Sequence, residues 1–294
     1  MQASEGCLIL VPTPIGNLGD ITERAKAVLA EVDLIAAEDT RVSARLLAVY
    51  DLPKKELFSY HKFNEEEKLE DLLAYLEQGK QCALISDAGM PAISDPGQRL
   101  VRAAIERGYL VTALPGPNAA ITALAASGLN SRRFHFEGFL PNSGAERKKR
   151  LEALLQIDDT CLIYEAPHRL LKLLNELEEQ GGGTRELCLA REISKKFETY
   201  LYGELSVLKA RLEEEAPRGE YVLVLEGRED FLQRHPEKIQ EAEELREELI
   251  KDEIQLLLDQ GLSPRAIRKQ LASSSGLSRN RLYELILDLA ESSN

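Results

Sequence analysis

At 294 residues, with 44% apolar and 30% charged side chains, the chain can hold about two globular domains, and its composition excludes disorder over most of its length. A formal net charge of −13 weighs against indiscriminate binding to a polyanion, and the absence of Trp with only 5% aromatics leaves no obvious single-strand stacking platform. The N-terminal MQASEG lacks a basic segment followed by an apolar core, and no apolar run reaches bilayer length, so the chain reads as cytoplasmic with no membrane partner.

Short apolar runs alternate with stretches of helical period. Leu8–Val11 predicts a strand, followed by a helix from Asp20 with Ile21, Ala25, Val28, Leu29 and Val32 on one face. Leu34–Ala37, a helix near Val42–Val49, Leu57–Tyr60, a helix over Glu65–Gln78, Cys82–Ser86, a helix over Gln98–Arg107 and Tyr109–Ala113 continue the rhythm. This order predicts an α/β fold with a mostly parallel sheet covered on both faces. A small-residue helix, Ala120–Ser127, opens the second half. Strands follow near Phe134–Phe136, Cys161–Tyr164, Leu187–Ala190, Thr199–Tyr202 and Tyr221–Leu225, with helices at Ala145–Leu155, Arg169–Gln180 and Glu204–Glu215. The predicted organisation is two α/β domains, 1–117 and 118–230, and a helical appendage, 231–294.

In the appendage, 237–253 reads as a solvated connecting helix. Beyond it the sequence reads as helix, turn, helix, with Ser263 and Ser278 as N-caps, Pro264 in a first turn and Gly276 in the turn. Leu262, Ile267, Leu271, Leu277, Leu282, Leu285 and Ile286 would form a small core. Cys7, Cys82, Cys161 and Cys188 each begin an apolar run without ligand or redox spacing, which points to buried hydrophobes in a reducing compartment. His61, His135, His168 and His235 are scattered, so no metal is expected.

Ligands of open parallel sheets bind beyond the carboxyl ends of the strands. Three Gly/Pro loops occupy such positions: TPIGNLGD at 13–20, SDAGMPAISDPG at 86–97 and LPGPNA at 114–119. None carries a phosphate-loop lysine, which favours a neutral or cationic nucleoside over a triphosphate. Asp95, ahead of Pro96, reads as the cap of the next helix. Asp87, leaving a buried strand, has no such role. Two charged clusters also sit at strand ends: Glu38, Asp39 and Arg41 in AAEDTR, and Glu165, His168 and Arg169 in YEAPHRL.

In this order, VPTPIGNLGDIT, AAEDTR, SDAGMPAISDPG, LPGPNAAITAL, EGFLP, E-x-P-H-R and GEYVLVLEG resemble the tetrapyrrole methylase family of S-adenosylmethionine enzymes, and within it the branch that methylates ribosomal RNA. The resemblance spans about Leu8 to Gly227 and extends to the terminal helix-turn-helix. It implies S-adenosyl-L-methionine as cofactor in a cleft between two α/β domains, a homodimer, and 2′-O-methylation of a cytidine in 16S rRNA of the small ribosomal subunit. Cofactor contacts are then expected from Pro14, Ile15 and Gly16, from Asp87, Ala88, Gly89, Met90 and Ile93, from Asn118 and Ala119, and from Tyr164. The rRNA branch commonly has threonine where Met90 stands; a thioether cannot donate a hydrogen bond, which leaves a backbone contact there.

A ribose hydroxyl is a weak nucleophile, so a base is expected nearby. Asp39 ranks first, because Arg41 beside it would keep it ionised, with Glu38 and His168 as alternatives. Basic runs interrupt the acidic chain: Arg147-Lys148-Lys149-Arg150, Arg132-Arg133, and in the tail Arg265, Arg268, Lys269, Arg279 and Arg281. With Arg169, these are the expected RNA contacts. Two other readings remain open at this level: a methyltransferase of the same fold acting on a tetrapyrrole precursor, and a non-enzymatic nucleic-acid-binding metabolite sensor.

Overall fold

The computed structural model describes residues 6–260, 262–271 and 278–292, except the side chains of 239–246, 279 and 290–292. The chain divides into two compact units, Met1–Arg228 and Glu229–Asn294. The division read at residue 117 falls inside the first unit, in the link between its two sheets.

The first sheet contains β1 (Cys7–Leu10), β2 (Leu34–Ala37), β3 (Glu56–Ser59), β4 (Gln81–Ile85) and β5 (Leu110–Ala113). They run in the order β3-β2-β4-β1-β5 and are parallel throughout. Alternate side chains serve opposite faces. Ile9, Ile35 and Ile85 pack with Ala25 and Leu29 of α1 (Glu23–Glu31) and Leu47 of α2 (Thr40–Val49). Leu8, Leu34 and Leu84 pack with Leu72 and Leu76 of α3 (Glu65–Glu77) and Leu100 of α4 (Gln98–Glu106). Burial on both faces is why these strands read as unbroken apolar runs. The helix expected from Asp20 is α1, which starts three residues later, where the Thr22 side chain accepts from the Ala25 N–H at 3.0 Å; a 3₁₀ turn, Leu18–Asp20, precedes it.

The second sheet contains β6 (Phe134–Phe139), β7 (Thr160–Glu165), β8 (Glu186–Arg191), β9 (Thr199–Glu204) and β10 (Tyr221–Leu225), in the order β6-β7-β10-β8-β9. Only β6 and β7 pair in parallel; β10 runs antiparallel between β7 and β8, and β9 antiparallel to β8. The parallel sheet read from the first half is found there; the second sheet is mixed. Between β8 and β9 the sequence has no helix-length segment, and such a short link joins antiparallel neighbours. On one face α5 (Ala119–Ser127) places Ala120, Ala123 and Leu124 against Leu162, Ala190 and Val222. The other face is covered by α6 (Ala145–Gln156), α7 (Pro167–Leu177) and α8 (Leu205–Glu214). All four cysteines are buried and unbridged, and burial pushes the Cys82 and Cys161 thiols up to about 12.

The second unit opens in α9 (Arg228–Arg234) and continues with α10 (Pro236–Asp259), α11 (Pro264–Leu271) and α12 (Arg279–Ser292). Ile250, Ile254 and Leu257 of α10 join Ile267, Leu271, Leu282, Leu285 and Ile286 in its core. The helix read as a solvated connector thus supplies one wall of that core with its last turns. Ser263 and Ser278 act as N-caps through Ala266 N–H and Arg281 N–H; Gly276 and Leu277 lie outside the described residues. Among the described residues no helix is long and apolar enough to cross a membrane, and no cluster of His, Cys, Asp and Glu could hold a metal ion.

Candidate active site

Because β1, β2, β4 and β5 are parallel, the loops after them emerge along one edge. A cavity of about 700 Å³ opens there, lined by Ile15 after β1, Glu38 after β2, Asp87 to Met90 and Ile93 to Asp95 after β4, and Asn118 and Ala119 after β5. The second sheet closes it with Phe139 of β6, Tyr164 to His168 at the end of β7, Ile193, and Glu220 to Val222 at the start of β10. The antiparallel register, which pairs Tyr221 with Glu165, brings the start of one strand beside the end of another. Of the expected cofactor residues, Pro14 and Gly16 flank Ile15 without lining the cavity; Gly16 packs against the Lys195 side chain, whose Cγ occupies the space a Cβ would need.

The loop after β4 forms the floor. Thr13 and Gly89 exchange backbone hydrogen bonds of 2.9 and 3.0 Å, and the Thr13 hydroxyl donates to Ser86 O at 3.0 Å. Gly89 has φ +84, and an added Cβ would come 3.2 Å from Ile15 Cγ2, so the residue both permits the turn and leaves room for Ile15. Ala92 and Ser94 hold left-handed φ values of 65 and 64. Such conformations cost about 1–3 kcal/mol each and concentrate at ligand-holding loops.

Three carboxylates share this wall. Burial raises the pKa of Glu38, Asp87 and Asp95, and each also feels a neighbouring acid: Asp87 for Glu38, Asp39 for Asp87, Glu38 for Asp95. Asp95 is pushed up to about 6. It is not the expected helix cap, since α4 begins at Gln98 behind Gly97. Asp39, ranked first as base, does not line the cavity. Its carboxylate caps α2 through the Arg41 N–H at 2.8 Å and takes both Arg41 Nε (3.0 Å) and Nη2 (2.6 Å). These bonds hold it well below the usual carboxylate range. A carboxylate so engaged is a weak base, and Arg41 is engaged with it.

On the opposite wall, the Tyr164 ring meets Phe136 and Phe139 at centroid distances of 5.2 and 5.4 Å, and its hydroxyl accepts from Ala120 N–H at 3.2 Å. Glu165, fully buried, takes Arg169 Nε at 3.0 Å and lies 3.9 Å from Arg147 Nη1. Arg169 also donates to Leu140 O at 2.7 Å and to Asn142. Arg147, 2% exposed, donates to Glu176 Oε2 and to Pro141 O. Arg150 is paired with Glu137. The reading of Arg147, Arg150 and Arg169 as RNA contacts is thereby corrected: they tie α6 and α7 to the end of β6 and β7, and only Lys148 and Lys149 of that run face solvent. In the second unit Arg265 and Lys269 are exposed, Arg268 lies 5.5 Å over the Tyr283 ring, and Arg281 is bidentate to Glu247. The Arg279 side chain lies outside the described residues. His168 stands on the first turn of α7 and lines the cavity.

Sequence reasoning missed Asp95 and Ile193 as wall residues. For Asp95 the available signal was its place in a Gly- and Pro-bracketed loop eight positions beyond Asp87; Ile193 gave none, because only tertiary packing brings the β8–β9 link to the cavity.

The sequence profile of the tetrapyrrole (corrin/porphyrin) methylases matches residues 7–209. The chain belongs to this family. Among its members, ribosomal RNA small subunit methyltransferase I of Synechocystis sp. is 43% identical over 284 residues, covering 97% of this chain and 98% of that protein. The protein of the same name from Bacillus subtilis is 41% identical, covering 96% and 94%. Solved tetrapyrrole methylases share the fold. A cobalt precorrin-4 methyltransferase superposes with TM-score 0.57 at 16% identity, covering 76% of this chain and 95% of its own. Uroporphyrin-III C-methyltransferase from Thermus thermophilus, complexed with S-adenyl homocysteine, gives 0.53 at 17% identity, covering 74% and 91%.

Proposed function

We propose that this chain transfers a methyl group from S-adenosyl-L-methionine to a cytidine 2′-hydroxyl in the 16S RNA of the small ribosomal subunit, in the cytoplasm. The observation that carries this reading is the convergence of Ile15, Gly89 and Asn118, from three separate strand-end loops, on one cavity. Its support from kinship is the name and near full-length coverage of the relatives.

The wall fits the cofactor's chemistry. Ile15, Ile93, Ile193, Val222 and Tyr164 offer apolar surface to a purine, and Glu38, Asp87 and Asp95 place desolvated negative charge where a cation would be held. When bound, S-adenosyl-L-methionine supplies an electrophilic methyl on positively charged sulfur. The protein's part is alignment, exclusion of water and removal of one proton. Asp95, with a pKa of about 6, is ionised at neutral pH yet basic enough to accept the hydroxyl proton, the compromise a general base needs. Glu38 disfavours a second nearby charge and so keeps Asp95 basic. The buried Glu165–Arg169–Arg147 network fixes the end of β7, from which Tyr164 and His168 enter the cavity. A homodimer belongs to the same reading: edge strands β5 and β9 leave Leu110 and Tyr202 exposed, apolar surface that a second copy would cover.

Incubation with methyl-labelled S-adenosylmethionine and undermodified small subunits, followed by nucleotide mapping, tests this. Label on one cytidine ribose of 16S RNA is expected. Label on a purified tetrapyrrole, with none on the subunits, would replace this reading by a small-molecule one.

A further inference from the structure

The protein has 7 Phe and no Trp, yet two of those Phe stand in solvent at loops bordering the cavity. Phe63, 85% exposed, follows β3; Phe197, 67% exposed, lies in the link between β8 and β9. Each is preceded by a lysine whose ammonium sits over its ring, Lys62 at 4.8 Å and Lys196 at 5.5 Å. His61 meets the Phe63 ring edge-on at 6.0 Å.

Both loops connect to the cavity wall. Strand β3 pairs in parallel with β2, setting Ser59 opposite Ala37, so the loop containing His61 and Lys62 emerges beside Glu38, which feels the charge of both residues. The second loop contributes Ile193 to the wall, and its Ser194 and Lys195 touch Asp20 and Gly16 of the loop after β1. Glu192 and Ser194 hold left-handed φ values of 52 and 67, which fixes the course of this link. Along the strand-end edge, ordered β3, β2, β4, β1, one lysine–phenylalanine pair thus stands at the β3 end, and the other is joined to the β1 end. The acidic wall lies between them.

Exposed aromatic faces beside flexible cations suit an unpaired polynucleotide: each base has a π-face to stack, and each lysine can turn from the ring to a phosphate. On a chain of net charge −13, lysines beside the cavity would draw the polyanion toward it. We propose that Phe63 with Lys62, and Phe197 with Lys196, are base-stacking platforms that hold unpaired RNA nucleotides on either side of the methylated one. The inference rests on the proposed RNA substrate and deepens it.

The test compares wild type with Phe63→Ala, Phe197→Ala, Phe63→Trp and Phe197→Trp, measuring KM for undermodified small subunits, kcat, S-adenosylmethionine affinity and sedimentation. A stacked base contributes about 1–3 kcal/mol, so each alanine variant should raise KM roughly tenfold. Cofactor affinity should stay unchanged and tryptophan should restore KM. Active wild type with both alanine variants at wild-type KM overturns the platforms and leaves the RNA reading intact. So does a change in sedimentation without a change in KM, which would make these rings protein–protein contacts. Wild type that leaves small subunits unlabelled overturns the underlying reading and this one together.

Discussion

Arg147 and Arg265 each open a basic run, one on α6 and one on α11, and the two runs look alike in composition. Arg147 is buried and bonded to Glu176 and Pro141, whereas Arg265 and Lys269 are exposed. Helical phase explains the difference. Arg147 stands four, seven and eight positions before Leu151, Leu154 and Leu155, on the buried face of α6. On α11 that face belongs to Ile267 and Leu271, and the cations fall beside it. The acids divide in the same way: Asp39 is engaged by Arg41 and a helix N-terminus, while Asp95 is desolvated without a matching cation. A charge that the fold engages is structural; one left open at a cavity or surface is available for chemistry or binding.

The acid pair offers the largest effect. Asp95→Asn should lower the methylation rate about 10²- to 10⁴-fold, the usual scale for a lost general base, while Asp39→Asn keeps it within a few-fold. Equal losses from both would erase the distinction. Next, Arg147→Ala should destabilise the protein by about 1–3 kcal/mol in denaturant unfolding, because it removes the hydrogen bonds to Glu176 and to Pro141 O. Neutralising Lys148 and Lys149 should change stability by no more than about 0.5 kcal/mol.

Smaller effects sharpen the tail. Replacing Arg265, Arg268 and Lys269 by Gln should reduce the slope of log affinity against log salt for RNA by about 0.7 per lost phosphate contact, with no change in cofactor affinity. An unchanged slope would remove the tail from the RNA-binding surface. Smallest is a shift in thermal stability with a definite sign. Asp95 in the folded state titrates at about 6, above its ordinary 3.8, so the folded protein holds an extra proton between those values and loses stability as pH rises through them. Asp95→Asn should therefore raise Tm at pH 7.5 and leave it unaltered below about pH 4.

Much of the first sheet was legible because buried parallel strands appear as apolar runs and end in Gly/Pro loops. These loops marked the edge of the cavity, and the family resemblance picked out Ile15, Gly89 and Asn118 within them. The antiparallel placement of β10 was not legible, since period and composition do not encode strand order. Asp95 was misread because Asp-Pro is an ordinary helix-start signal, and only its burial beside Glu38 distinguishes it. Arg147 was legible in principle from its spacing to Leu151 and Leu155, but a run of four basic residues hides that phase. Phe63 and Phe197 were passed over because scarcity of aromatics says nothing about where the few are placed.

The most direct test of the central claim is titration calorimetry of S-adenosylmethionine into the intact chain at pH 7.5 and pH 5. One molecule should bind per chain, more weakly at pH 5, where Asp95 is protonated and no longer balances the positive sulfur. Absence of binding at both pH values would contradict the claim that these loops form a methyl-donor site.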